Sequence, residues 1–222
     1  MGNPLFLLNL KVYPGTAGPA AERIAAVLEE LGAAHGVAVA IAPAMPDVGR
    51  LAAQVALPVV AQHVDPFEPG AHTGFVTAEA LRAAGARGSL VNHSEHPLTR
   101  PEVGEAVQRL QAAGLAAVVC AGDVEPARVL AEFHPAYLAV EPPELIGGDL
   151  SVSTARPEIV GATADVVHTV SPTTQLLCGA GIHDRADVSR ALELGSEGVL
   201  VASAVTRARD PRAAIEELLS GF

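Results

Sequence analysis

Short, almost wholly apolar runs recur along the chain, separated by segments in which apolar residues return every three or four positions. A run without polar residues is typical of a strand covered on both faces, as in a parallel sheet flanked by helices. The separating segments have the period of an amphipathic helix. The pattern predicts eight strands, at 5–10, 37–42, 58–61, 89–92, 115–120, 136–140, 175–178 and 198–202.

Several residues between the runs indicate where helices begin and end. Pro101 suits a first helical turn, and Asp184 and Asp187 suit the start of another helix. Gly114 and Gly195 stand where two helices are expected to stop. The sequence therefore predicts a regular alternation of strands and helices.

Eight strand–helix units in 222 residues amount to roughly 28 residues each, which is compact but sufficient for a parallel (β/α)8 (TIM) barrel. No linker interrupts the alternation, so we expect a single barrel domain over residues 1–222. An open doubly wound sheet is the alternative. That fold usually has a glycine-rich phosphate turn after its first strand, whereas this chain continues with Lys11-Val12-Tyr13-Pro14-Gly15. The barrel is therefore favoured.

The chain has a formal net charge of −11 and contains one lysine among its 14 basic residues. Nucleic-acid binding requires a clustered basic surface, and the arginines here are scattered. The acidic charge equally disfavours anionic membranes, and no apolar stretch reaches the length of a spanning helix. An acidic surface with almost no lysine suits a salt-rich cytoplasm, although a coding bias towards Ala and Arg would give part of the same pattern.

The cysteines and the N-terminus favour the cytoplasm. Cys120 and Cys178 lie in strand-like apolar runs, which fits reduced thiols better than a disulfide framework. The first residues, Met1-Gly2-Asn3-Pro4, have neither a basic leader nor a cleavage site, so we expect no targeting segment.

Polar side chains follow the predicted strands at their carboxyl ends. In a parallel barrel these ends meet at one rim, where reactive groups of such barrels stand. The first strand ends with Asn9 and Lys11, the fourth with His93 and Glu95, and the sixth with Glu141. A lysine, a histidine and a glutamate are thus expected to converge over one barrel mouth.

Each of these three groups suits catalysis but also has an ordinary structural explanation. Lys11 carries a compact point charge, yet its position alone also fits a surface lysine. His93 lies between a strand and an expected helix N-terminus, whose positive end favours a neutral, hydrogen-bond-donating ring; a capping histidine is the alternative. Glu141 precedes the stiff Pro142-Pro143 and the flexible Gly147-Gly148, which is typical of a lid hinge, although strand-end glutamates are commonly solvated.

Small residues follow the last two predicted strands, namely Gly179-Ala180-Gly181 and Ala202-Ser203. They would expose backbone N–H groups where (β/α)8 barrels commonly bind a phosphate group. Tight strand-to-helix turns would need the same small residues, so this signal is weak by itself.

Together these motifs resemble the triosephosphate isomerase family, and its short archaeal type in particular. Asn9-Leu10-Lys11 resembles the family's N-x-K motif, and Asn92-His93-Ser94-Glu95 resembles its [GN]-H-S-E motif. Residues 141–147, E-P-P-E-L-I-G, resemble its lid entrance, and residues 178–182 and 198–203 are similar to its two phosphate turns. The similarity runs in register from the first strand to the eighth.

The resemblance implies interconversion of dihydroxyacetone phosphate and D-glyceraldehyde 3-phosphate, without a metal ion or an organic cofactor. Glu141 would be the base, neutral His93 would polarise the carbonyl group, and Lys11 with Asn9 would stabilise the enediolate. Glu95 would lie near Lys11. The phosphate group would be held by the backbone of Ile146, Gly181, Ala202 and Ser203.

A ten-residue loop, 65–74, follows the third strand and is long for a compact barrel. In the family the matching loop docks into a neighbouring subunit, with Thr73 reaching towards its active site. We therefore expect a homodimer or a homotetramer, with a solvent-exposed loop on a monomer as the alternative.

The lid departs from the family pattern. Gly147-Gly148-Asp149 stands where the family usually has G-T-G. Lid closure and substrate affinity are therefore the properties expected to differ.

Two other classes of function compete with this interpretation. A different sugar-phosphate isomerase barrel would need acid and base groups at other strand ends, and the second strand ends in Ala42-Pro43 with nothing ionisable. A non-catalytic metabolite-binding barrel would lack Lys11, His93 or Glu141, and all three are present.

Overall fold

The computed structural model describes residues 4–142, 145 and 151–222, and in this part of the chain eight parallel strands form one sheet. All eight predicted strands are confirmed, with ends that differ from the predicted ends by at most two residues. They are β1 Leu5–Asn9, β2 Ala38–Ala42, β3 Val60–Ala61, β4 Gly88–Val91, β5 Ala116–Ala121, β6 Tyr137–Val140, β7 Gln175–Cys178 and β8 Gly198–Val201.

Helices connect the strands. A 3-10 turn at Met45–Asp47 precedes α2. The described helices are α1 Pro19–His35, α2 Val48–Ala52, α3 Ala78–Ala83, α4 Arg100–Ala112, α5 Val124–Ala131, α6 Val152–Ala155, α7 Pro157–Val170, α8 Arg185–Glu193, α9 Ser203–Thr206 and α10 Pro211–Leu219. None of these is long and apolar enough to cross a bilayer.

The predicted helix signals act as expected. Pro101 is the second residue of α4, and Asp184 caps α8 by accepting a hydrogen bond from the N–H of Asp187 at 3.0 Å. Gly114 and Gly195 follow α4 and α8 with φ values of 71° and 95°, a left-handed backbone that favours glycine. These local signals set where each unit turns back towards the sheet.

The sheet runs in the order β2-β1-β8-β7-β6-β5-β4-β3 and closes between its two ends. A parallel bridge joins Ile41 to Val59, and the N–H of Ile41 donates to the carbonyl oxygen of Pro58 at 3.0 Å. The result is a nearly closed (β/α)8 barrel, as predicted. Because all strands are parallel, their carboxyl ends lie at the same rim.

Apolar side chains cover the barrel wall on both of its faces. Along β1, Leu7 belongs to the barrel interior, whereas its neighbours Phe6 and Leu8 belong to the layer between sheet and helices. This two-sided burial explains why the strands show no alternation of polar and apolar residues. The interior is filled by Leu7, Ala40, Ala42, Val60, Leu90, Val118, Cys120, Ala139, Leu177 and Leu200.

Candidate active site

A pocket opens at the carboxyl rim of the barrel and brings the predicted site residues together. The predicted catalytic and substrate-binding residues that the structure describes all line it, while Ile146 lies outside the described residues, as does the predicted lid departure at Gly147-Gly148-Asp149. The lining consists of Asn9, Lys11, Tyr13, His93, Glu141, Gly179, Gly181, Ile182, Leu200, Val201, Ala202 and Ser203.

Lys11 is held in an unusual backbone conformation just after β1. Its φ is 48°, in the left-handed region that costs a residue with a side chain about 1–2 kcal/mol. The N–H of Lys11 donates to Oδ1 of Asn9 at 2.9 Å, and its carbonyl oxygen accepts from Nε2 of Gln62 at 3.0 Å. These bonds offset the strain and fix the direction of the side chain.

The ammonium group of Lys11 is paired with a carboxylate. Nζ lies 2.8 Å from Oε1 of Glu95, and the side chains are 12% and 58% exposed respectively. Because Glu95 reaches into solvent, it orients the ammonium without fully neutralising the field of Lys11 in the pocket. This is the neighbour that the sequence resemblance implied for Lys11.

His93 lies in a turn and not at the start of a helix, which corrects the sequence prediction. Residues 93–96 form the turn, here called the His93 turn, and α4 begins only at Arg100. Pro97 follows His96 and disfavours helical backbone at that residue. The expected effect of a helix N-terminus on the imidazole is therefore absent.

A backbone hydrogen bond takes over the role predicted for that helix. The N–H of Glu95 donates to Nδ1 of His93 at 3.1 Å. Since Nδ1 acts as an acceptor, the single proton of a neutral ring is on Nε2. Nε2 lies 3.8 Å from Oε1 of Glu141, so the N–H faces the pocket.

Glu141 is a buried carboxyl group with little to stabilise its charge. Its residue is 4% exposed, and Oε2 has no hydrogen-bond partner among the residues that the structure describes. Burial raises the pKa of Glu141, and the interaction with the nearby imidazole of His93, a hydrogen bond from Cys120 and the charge of Lys11 oppose that rise. A carboxylate in this state is a stronger base than one in water.

Gly179 makes room for the Glu141 side chain. A Cβ at this position would lie 2.4 Å from Cγ of Glu141, a separation that van der Waals contact does not allow. Glycine after β7 is therefore required by the position of the carboxylate. This steric requirement applies to Gly179 whether or not the turn at Gly179-Ala180-Gly181 binds a phosphate group as predicted.

Both cysteines are free and buried, as predicted. Burial raises the pKa of Cys120 well above its ordinary value, and the nearby Glu141 raises it further. Burial likewise raises the pKa of Cys178 to about 12. Both thiols thus stay neutral, and Cys120 acts beside Glu141 as a weak donor and not as a nucleophile.

Sequence analysis missed two contributors to the pocket. Gln62 directly follows β3 and donates to the carbonyl oxygens of Lys11 and Ala42, at 3.0 and 3.1 Å. The sequence indicated this role of Gln62 only by placing a polar residue at a strand end, and Gln62 belongs to none of the motifs described above. Tyr13 lines the pocket from the turn after β1.

The described residues contain no metal cluster. No group of three His, Cys, Asp or Glu side chains in this part of the chain is arranged as metal ligands. The chemistry available in the pocket is that of a buried carboxylate, an imidazole N–H and an ammonium group. This combination defines a (β/α)8-barrel enzyme that moves protons on a small anionic substrate.

Comparison with known proteins gives the particular family. The family model for triosephosphate isomerase matches residues 4–218. The triosephosphate isomerases of Methanothermus fervidus and Methanoculleus marisnigri are 42% and 43% identical to the chain over 220 residues, covering 99% of each protein. The crystal structure of triosephosphate isomerase from Bartonella henselae matches with a TM-score of 0.76 at 18% identity, covering 96% of this chain and 97% of that one, which supports the fold.

The chain belongs to the triosephosphate isomerase family. The family match covers the whole barrel and names the class of enzyme that the motifs resembled. The two competing classes of function, a different sugar-phosphate isomerase and a non-catalytic metabolite-binding barrel, are thereby set aside.

Replacing the buried carboxylate of Glu141 should make the folded protein more stable at pH values above the ordinary pKa of a carboxyl group. The pKa of Glu141 is higher in the folded than in the unfolded state, where it is near 4.5. The contribution of Glu141 to the free energy of unfolding is therefore fully present below pH 4.5 and is lost as the pH rises through the folded-state pKa. We expect Glu141→Gln to raise the thermal midpoint at pH 8 by about 2 °C or more. The gain should vanish below pH 4.5.

Thermal unfolding of both proteins across this pH range is the measurement. Glu105→Gln, on the exposed side of α4, is the matched control and should change the midpoint little. An unchanged or lower midpoint for Glu141→Gln at pH 8 would show that the carboxylate is better solvated than its surroundings indicate.

Proposed function

We propose that Glu141, His93 and Lys11 carry out the isomerisation of dihydroxyacetone phosphate and D-glyceraldehyde 3-phosphate in the rim pocket. The reaction is that of the family to which the chain belongs, an intramolecular aldose–ketose isomerisation of glycolysis and gluconeogenesis. One observation carries the residue assignment. Nε2 of His93 and Oε1 of Glu141 lie 3.8 Å apart in a pocket that Lys11 also lines.

Glu141 is the proposed base. Its carboxylate removes a proton from the carbon next to the carbonyl group and returns it to the neighbouring carbon after an enediolate has formed. Burial, which raises the pKa of Glu141, increases the affinity of this carboxylate for the proton that it must accept. The same group then releases the proton without leaving the pocket.

His93 is the proposed electrophile. The N–H on Nε2 donates to the substrate's carbonyl oxygen, and the ring passes protons between the two oxygens of the enediolate. The bond from the Glu95 N–H to Nδ1 supports this role, because it is available only to a ring without a proton on that nitrogen. A neutral ring can donate this hydrogen bond to the substrate oxygen without placing a positive charge next to Glu141.

Lys11 is the proposed stabiliser of the enediolate, with Asn9 holding its backbone. A net charge of −11 repels an anionic substrate at long range, so the field of the single lysine must prevail inside the pocket. Such a fixed charge stabilises the transition state because it is directed where negative charge develops.

The phosphate group is proposed to bind at the turns after β7 and β8. Gly181, Ala202 and Ser203 line the pocket there. Ile146 enters the proposal by family resemblance alone, since it lies outside the described residues. The proposal uses no metal ion and no organic cofactor.

We also propose that residues 1–222 form one domain and that the protein acts in the cytoplasm. The first proposal is supported by one barrel sheet that uses strands from both ends of the chain. The second is supported by two buried free thiols, which suit a reducing compartment.

We propose that the loop after β3, residues 65–74, here called the docking loop, mediates self-association of the protein. A side cavity of 270 Å³ lies beside the pocket and shares three of its residues. We propose that the docking loop of a second copy enters this cavity, giving a homodimer or homotetramer. The cavity is lined by Asn9, Lys11, Val12, Met45, Gln62, His63, Leu90, His93, Glu95 and His96.

Exposed apolar side chains support this assembly. Among the described residues, the large apolar side chains that remain exposed are Val12, at 81%, and Phe75, at 51%. Val12 lines the side cavity and Phe75 stands next to the docking loop, where its ring lies 5.1 Å from that of Phe67. A contact between copies would bury both patches.

Lys11→Met should reduce kcat/KM for dihydroxyacetone phosphate by about 10²–10³-fold, because a fixed positive charge on the enediolate is lost. A coupled assay for glyceraldehyde 3-phosphate measures it. Arg82→Met, on the exposed face of α3, removes one positive charge elsewhere and serves as the control. A Lys11→Met enzyme within about tenfold of wild type would remove Lys11 from the mechanism.

Thr73→Arg should weaken the assembly, because an arginine cannot enter a cavity that accepts a threonine. We expect the dissociation constant of the assembly to rise about tenfold or more over that of wild type. Sedimentation velocity over a range of protein concentrations measures the change. Thr169→Arg adds the same charge at an exposed position of α7 and should leave the assembly intact. A monomeric wild type, or an assembly unaffected by Thr73→Arg, would contradict the proposal.

Salt adaptation is proposed from the charge of −11 and the single lysine. We expect activity to be retained or to rise with KCl up to about 1 M, where the Debye length is ~3 Å and repulsion between surface carboxylates is screened. Steady loss of activity from low salt upwards would speak against adaptation.

A further inference from the structure

Two histidine rings stack against each other beside the active site. The rings of His63 and His96 are parallel to within 7°, with centroids 3.7 Å apart. His63 comes two residues after β3, and His96 closes the His93 turn, where its N–H donates to the carbonyl oxygen of His93 at 2.7 Å. Both rings line the side cavity. The stack therefore joins the loop after β3 to the turn that carries His93.

His63 is fixed on its other side by the base of the docking loop. Its Nε2 lies 3.2 Å from Oδ1 of Asp65. The other carboxylate oxygen of Asp65 accepts from the N–H of Val76 at 2.7 Å, and the N–H of Asp65 donates to the carbonyl oxygen of Val76 at 2.8 Å. The position of His63 is thus set by Asp65, the first residue of the docking loop, which Val76 beyond the loop holds in place.

The His93 turn is held by individual contacts and not by a helix, and one of them is the ion pair between Glu95 and Lys11 at 2.8 Å. Helix α4 begins only at Arg100, so no helical hydrogen bonds hold residues 93–96. Asn92 secures the start of the turn, with Nδ2 donating to the carbonyl oxygen of Cys120 at 2.9 Å and Oδ1 accepting from the N–H of Leu98 at 2.9 Å. On the side of the cavity the turn rests against the His63 ring.

We propose that the stacked pair of His63 and His96 is a positioning device for His93, and that protonation of His63 loosens the His93 turn and slows isomerisation. The stack keeps the Glu95 N–H directed at Nδ1 of His93 and so keeps the ring proton on Nε2. The inference rests on the role proposed for His93. Neither His63 nor His96 touches the reacting atoms.

The charges around the stack give the direction of the pH effect. Burial lowers the pKa of His63, the hydrogen bond to Asp65 opposes this, and the charge of a protonated His96 lowers it further. A charge gained by His63 acts on the stacked His96 ring and on Lys11, Glu95 and His93, which face the same cavity. The folded-state pKa of His63 lies below the unfolded value of 6.5. The neutral ring therefore contributes to the stability of the folded state above pH 6.5, and this contribution is lost as the pH falls through the folded-state pKa.

Substitutions of His63 separate ring stacking from titration. His63→Phe keeps a flat ring that can stack on His96 but takes no proton, whereas His63→Ala removes the ring. We expect His63→Ala to lower kcat by about tenfold to a hundredfold with KM little changed, as for a misplaced catalytic group. His63→Phe should restore most of this loss. His168→Ala, an exposed histidine paired with Glu197, is the control and should leave kcat unchanged.

The pH profile is the readout that a merely structural role would not change. In wild type, the acid-side fall in kcat should contain one contribution from the protonation of Glu141 and one from the protonation of His63. In His63→Phe the second contribution is absent, so the fall should begin at a lower pH than in wild type. Superimposable profiles, or a His63→Ala enzyme with wild-type kcat and profile, would overturn the proposal.

A spectroscopic measurement keeps the test independent of activity. Nitrogen-15 NMR of the His93 imidazole reports which nitrogen carries the proton. We expect a single Nε2–H form in wild type and in His63→Phe, and a mixture of tautomers in His63→Ala; an unchanged spectrum would overturn the proposal. If His63→Ala does not fold, the His63→Phe profile and spectrum decide. Activity retained by His93→Gln would refute the proposed role of His93, while the His93 spectrum would still test the positioning.

Discussion

Burial of a parallel sheet on both of its faces is the constraint on which the rest of the molecule depends. Leu7 fills the inside of the barrel while Phe6 and Leu8 pack under the helices, so neither face of β1 can carry polar chemistry. Polar side chains are left with the strand ends. Because the strands are parallel and the sheet closes through the bridge between Ile41 and Val59, those ends form one rim. The site is a consequence of this closure.

Electrostatics at the rim depends on a few fixed backbone groups. Burial raises the pKa of Glu141 and so makes its carboxylate a stronger base. Among the described residues, no donor forms a hydrogen bond to its Oε2 that would weaken this effect. The Glu95 N–H keeps Nδ1 of His93 without a proton, and Asn9 with Gln62 holds the strained backbone of Lys11. Neutral hydrogen bonds thus direct the His93 ring and the backbone of Lys11, while the ion pair with Glu95 directs the Lys11 ammonium group.

Much of this arrangement could be predicted from the sequence. The strands were predictable because each is short and wholly apolar, and the positions of Lys11, His93 and Glu141 at the rim follow once the strands are parallel. His93 was expected beside a helix N-terminus, whereas α4 begins only at Arg100, and Pro97 disfavours helical backbone at His96. Gln62 and the stacked His63 were beyond the sequence, since their roles depend on neighbours brought close only by the folded barrel.

Hydrogen exchange at the substrate carbon tests the central claim most directly, namely that a buried Glu141 carboxylate is the base. Dihydroxyacetone phosphate is incubated in D2O with wild type and with folded Glu141→Gln, and proton NMR follows the hydrogens at the carbon bearing the hydroxyl group. The account predicts that wild type replaces one of these hydrogens by deuterium and that Glu141→Gln does so about a thousandfold more slowly. Exchange by folded Glu141→Gln within about tenfold of the wild-type rate would contradict it.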